Sequence, residues 1–177
     1  MTRALTSARQ CLESASTGNN TKNIVRAHRL LSDLLAQRGV YEEAANHARE
    51  AITLAADDPW AHHDLAIALT GLRRFTEAIS SAKAAIRLSD GKYGSMHFAL
   101  GAVYFDLKQW PEAVQAFTKA AELSPTDSAA AYNVAVSYSN SGYYSEAVRW
   151  YRETLRRDPK HSDKAEILQQ IDLLSNR

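Results

Sequence analysis

The chain has 177 residues, of which 45% are apolar and 23% charged, the ordinary balance of a soluble packed domain and not of a disordered chain. Its 21 Lys and Arg against 20 Asp and Glu give a formal net charge of +1, too weak a field of either sign to draw in nucleic acid or an anionic membrane non-specifically. Cys11 is the only cysteine, which excludes an intrachain disulfide and a cysteine-rich zinc site and fits a reducing, cytoplasmic setting. The start, Met1-Thr2-Arg3, carries no apolar stretch of signal-peptide type, and no apolar run is long enough for membrane insertion.

Residues 1–16 read as a helix with Ala4, Leu5, Ala8, Cys11 and Leu12 on one face, and residues 17–24 as a polar loop. The helix spacing matches that of Ala78, Ile79, Ala82, Ala85 and Ile86 further on, so the chain opens with half a repeat. Full repeats follow. Glu-Ala pairs recur at Glu43-Ala44, Glu77-Ala78, Glu112-Ala113 and Glu146-Ala147, spaced by 34, 35 and 34 residues. Three residues before each alanine stands an aromatic, Tyr41, Phe75, Trp110 or Tyr144. Twelve before it stands a small residue, Ser32, Ala66, Gly101 or Ala135, each preceded by an aliphatic one, Leu31, Leu65, Leu100 or Val134.

These columns divide the chain into repeats at 25–58, 59–93, 94–127 and 128–161. Within each, apolar residues at three- and four-residue steps, such as Leu31, Leu34 and Leu35 and then Ala44, Ala48, Ala51 and Ile52, mark two amphipathic helices. Helix axes roughly 8–10 Å apart leave no space for a large side chain at the crossing, and Gly101 marks the tightest point. A final helix over 162–177 starts at Ser162 or Asp163 and turns Ala165, Leu168, Ile171 and Leu174 inward, with Gln169, Gln170 and Asp172 facing water.

The columns resemble the tetratricopeptide repeat family over about residues 25 to 161. The resemblance implies an all-α, right-handed α-solenoid, a superhelix of four tandem helix-turn-helix repeats forming a single domain, with an N-terminal half-repeat helix and a C-terminal capping helix. The family's large residue near the start of the first helix is His28, His62, His97 and Ala131 here.

No catalytic motif is present: no glycine-rich phosphate loop, nucleophile elbow, H-E-x-x-H or C-x-x-C. The histidine column cannot be a metal ladder, because neighbouring helices lie roughly 8–10 Å apart while zinc needs nitrogens at roughly 2 Å. Arg149, Arg152 and Arg156 share a face with Glu146 and Glu153 between them, which reads as a solvated surface. Neither a cofactor nor a metal is expected.

In proteins similar to this one, first helices line a concave groove that holds the partner. Carried over residue by residue, the resemblance places Arg29, Asp33, Trp60, His63, Asp64, Phe98, Phe105, Tyr132 and Asn133 on that wall, charged first and aromatic later. Exposed aromatics in a row are typical of binding patches, the alternative being that Phe98 and Phe105 are covered from within. The clamp by which relatives hold acidic chaperone tails needs basic and amide residues where Arg29, Asp33, Asp64, Ser95 and Ala99 stand, so that ligand does not fit. The expected function is a protein-binding scaffold for an extended peptide or a helix, not an enzyme. The alternatives are a self-assembling scaffold and a regulatory fragment of a larger enzyme.

Overall fold

A computed structural model describes residues 2–176 of the chain. Among them are ten α-helices and no strand: α1 (Thr2–Thr17), α2 (Thr21–Ala36), α3 (Tyr41–Leu54), α4 (Pro59–Gly71), α5 (Phe75–Leu88), α6 (Gly94–Asp106), α7 (Trp110–Leu123), α8 (Ser128–Asn140), α9 (Tyr144–Arg157) and α10 (Lys164–Ser175). The all-α class is the one expected.

Two compact units divide the chain between Gly91 and Lys92. In the first, α1 to α5 pack each on its chain neighbour, with α2 also touching α4; in the second, α6 to α10 do the same along the chain. The division falls in the connection from α5 to α6, where the 35-residue interval places its extra residue. An aspartate cap is missing there. Asp58 accepts a hydrogen bond from the Trp60 N–H ahead of α4, and Asp127 one from the Ala129 N–H ahead of α8, whereas Tyr93 precedes α6 without a side-chain cap.

The Glu and aromatic columns mark the start of each second helix. Tyr41, Phe75, Trp110 and Tyr144 open α3, α5, α7 and α9, and Glu43, Glu77, Glu112 and Glu146 sit in those first turns, where a negative charge complements the helix dipole. The turn before each second helix has one geometry. Gly39, Arg73, Lys108 and Gly142, one per repeat, take left-handed φ of 75°, 59°, 58° and 83°. The following N–H then reaches back to a carbonyl five residues earlier: Val40 to Leu35, Arg74 to Leu69, Gln109 to Tyr104 and Tyr143 to Tyr138. This pattern satisfies the last carbonyls of the first helix.

The alanine column, Ala44, Ala78, Ala113 and Ala147, is fully buried, as are Ser32, Ala66 and Ala135 in the small-residue column. A Cβ built at Gly101 would lie 2.7 Å from Cδ1 of Phe117, a ring itself buried, so the close approach expected there is present. Gly71 is tighter still: the ring of Tyr41 occupies the space a side chain would need.

Three expectations about the ends change. Helix α2 starts at Thr21, with Asn20 accepting from the Asn23 N–H, so the polar run at Thr21, Lys22 and Asn23 is the exposed first turn of a helix and the connection is Gly18–Asn20, not 17–24. Helix α1 buries Leu5, Ala8 and Ala15, while Ala4 and Cys11 are exposed; it packs mainly on α2, with Arg9 reaching Glu43 of α3 at 2.9 Å, so only a narrow stripe is covered. Helix α10 follows Asp163, whose side chain makes no capping bond, and buries Ile167 and Leu174, leaving Ala165 exposed and Leu168 and Leu173 each 49% exposed. Its inward stripe runs through Ile167, Ile171 and Leu174, so Leu168 faces out.

Candidate functional site

In the first unit, α2 and the start of α4 bring Arg29, Trp60, His63 and Asp64 together. The Arg29 guanidinium donates from Nε to Asp64 Oδ2 at 3.3 Å and from Nη1 to Asp58 Oδ2 at 3.4 Å, and its Cζ lies 5.8 Å from the Trp60 ring centre. Trp60 in turn stacks on His63 at 5.6 Å. Asp33, one turn beyond Arg29 on α2, is exposed and accepts from the Gln37 amide at 3.0 Å.

Burial sets the chemistry of this cluster. It pushes the Asp64 carboxyl up to about 7; Arg29 pulls the other way, and Asp33 and Asp58 add to the rise. Burial likewise holds the His63 imidazole down at about 4, helped by the Arg29 charge, so the ring is neutral at physiological pH. His63 is 9% exposed, and its Nδ1 has no hydrogen-bond partner.

In the second unit the aromatic residues are half-buried and occupied with their own neighbours. Phe98 meets Phe117 edge-on at 5.1 Å, and Phe105 meets Trp110 at 5.2 Å and Phe117 at 6.3 Å. Tyr132 stacks on His161 at 5.5 Å and meets Tyr151 at 6.0 Å. Burial raises the Tyr132 hydroxyl, with Glu166 and Asp163 adding to it. Asn133 donates its side-chain amide to the Ala129 carbonyl at 2.9 Å. The residues expected to form an open stripe thus each keep one face for internal packing, and the covering comes from the partner helix of the same repeat for Phe98 and Phe105.

Two residues escaped the sequence reading. Asp58 joins the Arg29 cluster, and its only signal was an Asp-Pro pair at a helix start. Arg157 lies beside the exposed Arg149, Arg152 and Arg156 in sequence, yet its side chain is 9% exposed. It donates to the carbonyls of Ala121, Ser124 and Asp127 at 3.1, 3.3 and 3.1 Å and to Glu153 at 2.8 Å. Arg156 pairs with the same Glu153, and these two guanidinium groups hold that carboxyl at about 2. The histidine column splits: His28 meets His47 through their Nδ1 atoms at 2.9 Å, while His62 bonds the Ala56 carbonyl at 3.0 Å.

Hairpins of nearly one length, closed by one turn and packed through one seam of small residues, define a helical repeat protein. The chain belongs to the tetratricopeptide repeat family: one family model of that description matches residues 3–59 and 63–128, and a second matches 104–171. No curated protein matches it. Among solved structures it is similar to MamA (TM-score 0.72, 21% identity, 92% of this chain and 89% of that one). It is also similar to TTC0263, a thermophilic protein of this family from Thermus thermophilus (0.73, 18%, 95% and 99%). A third is YrrB, described as having an unusual peptide-binding site (0.71, 20%, 91% and 80%). At these identities what is shared is the fold. No helix among the described residues is long and apolar enough to cross a membrane.

Proposed function

We propose that the chain is a protein-interaction scaffold that takes an extended peptide or a helix on the first-helix faces of its units, α2 and α4 in the first and α6 and α8 in the second. The observation that carries this reading is the placement of half-buried aromatics, Trp60, Phe98, Phe105 and Tyr132, on those helices. Such rings bury much area for little loss of rotamer freedom, which is why they anchor interfaces. On the first unit Arg29, Asp33 and Asp64 set the register of a guest, and on the second Asn133 offers an amide to a guest's backbone. The fold shared with a peptide-binding relative supports the same reading.

A catalytic role has nothing to carry it. The most perturbed groups, His63 and Asp64, are tied to Arg29 and Trp60 in a packed cluster and converge on no site for a reacting atom. An acidic-tail clamp is equally disfavoured: Arg29, the one cation among the matching slots, is already shared by two carboxylates.

Crosslinking and mass spectrometry in the native cell identifies the partner, and the variant that tests the face is Phe98→Ala with Tyr132→Ala. The double variant is expected to lose the partners that the parent chain captures. Capture of the same partners at the same yield by the folded variant would remove this assignment.

A further inference from the structure

We propose that His28 and His47 form an acid-sensitive latch across the first hairpin, α2 with α3, closed while one of their facing nitrogens is bare and opened once both carry a hydrogen.

The two half-buried rings come from different helices, His28 from α2 and His47 from α3, and meet through Nδ1 atoms 2.9 Å apart. Their centres lie 5.1 Å apart, little more than the nitrogen separation plus the depth of the two rings, so the nitrogens face each other head-on. An imidazole nitrogen either donates or accepts, and a contact of this length needs one of each. A proton lies on that line, whereas a metal ion would need both lone pairs to converge at a point beside it. Nor, among the described residues, do three or more His, Cys, Asp or Glu gather in a way that could hold one.

Protonation then acts in two different ways. The first added proton goes to the far nitrogen of the donating ring, leaves the facing hydrogen bond in place and makes it charge-assisted. The second has to land on the accepting Nδ1, where a hydrogen already points. That contact must break, and two like charges are left across the seam of α2 and α3.

The surroundings set where this happens. Burial is the first cause that lowers both imidazoles, and the charge of His47 lowers His28 further. Glu50 of α3 favours the charged form of both rings and Glu43 of α3 that of His47, while Arg9 of α1 opposes it at His47. Among the described residues, α4 adds no charge that acts on either ring. Glu43 is already paired with Arg9 at 2.9 Å, so a charged His47 competes with Arg9 for it and draws on the tie between α1 and α3. Both rings are lowered from 6.5 on folding, so the contribution of the pair to stability is whole above pH 6.5 and is lost as pH falls below it.

The test is a side-chain 15N NMR titration of the full chain, joined to urea unfolding of the parent, His28→Gln, His47→Gln and the double variant at pH 7.5 and pH 5. In the parent the two rings should titrate as one coupled system, in two steps more than about one pH unit apart, a tenfold difference in proton affinity. Either single variant should leave one ring that titrates in a single step, above the second step of the parent. The urea midpoint should fall further between pH 7.5 and pH 5 in the parent than in any of the three variants. Two rings that titrate independently in the parent, each in one step, overturn the latch, and this readout needs no variant to fold. An equal fall of the midpoint in the parent and the double variant overturns it as well.

Discussion

His63 and Asp64 are neighbours in the chain whose ionisations act on stability in opposite directions. The His63 imidazole drops from 6.5 to about 4 on folding, so between those values the unfolded chain binds a proton that the folded one refuses. Its contribution is whole above pH 6.5 and is lost as pH falls towards 4. The Asp64 carboxyl rises from 3.8 to about 7, so the folded chain keeps a proton that the unfolded one has released. That contribution is whole below 3.8 and is lost as pH rises towards 7. Arg29, Asp33 and Asp58 face these groups and do not reverse either shift. Where the windows overlap, between about pH 4 and 6.5, these two contributions to the urea midpoint oppose each other, while His28 and His47, both lowered first by burial, add a rise with pH to the parent's profile. Relative to the parent, His63→Gln should tilt the midpoint downward with rising pH and Asp64→Asn upward; parallel profiles for the two variants would contradict the assignment. Arg29, His63 and Asp64 could be placed on one face from the repeat register. Their bonding could not, because the third partner, Asp58, lies outside the groove positions and reaches Arg29 only through the packing of α2 and α4.

At the scale of the element, the hairpin turn is where sequence and geometry part company. Its left-handed residue is glycine in the first and fourth repeats and Arg73 or Lys108 in the others. A side chain in that conformation costs roughly 1–2 kcal/mol, part of which glycine returns through the freedom of the unfolded chain. Lys108→Gly is expected to stabilise the chain by about 0.5–1 kcal/mol, and Gly39→Ala, which meets no neighbouring atom within 4 Å, to destabilise it by about 1 kcal/mol, both read by chemical denaturation. Two glycines among four repeats were too thin a signal to reveal the turn. The second helices were legible for a different reason: their alanine, glutamate and aromatic columns each answer one local demand, for close packing, for a charge at the N-terminus and for a wedge at the turn. Terminal helices were less so, because α1 and α10 each pack mainly on one helix and several registers bury a comparable stripe. Leu168 and Ala165 fit the helical period as well as Ile167 does, but only Ile167 meets the Ala147, Val148 and Tyr151 cluster.

At the scale of the molecule, helices pack on chain neighbours, so stability is a sum of local terms. Leu31→Ala removes a fully buried side chain from the cluster that α1 to α4 share, at a cost of roughly 2–5 kcal/mol. Native-state hydrogen exchange should then quicken in α1 to α3 while α7 to α10 keep their protection; uniform loss along the chain would mean that it opens as one cooperative body. The aromatic face was the least legible part of the molecule. Ring positions follow from the repeat register, but how much of each ring remains available depends on its opposite number, as with Phe98 against Phe117.

Arg157 reaches three carbonyls of the preceding repeat and no side chain of it. Peptide carbonyls are common to every residue, so such a latch is blind to the composition of what it fastens. Arg157 would therefore keep this one contact behind any residues that hold the same turn spacing, while the side-chain seam of α9 with α8 would still have to match.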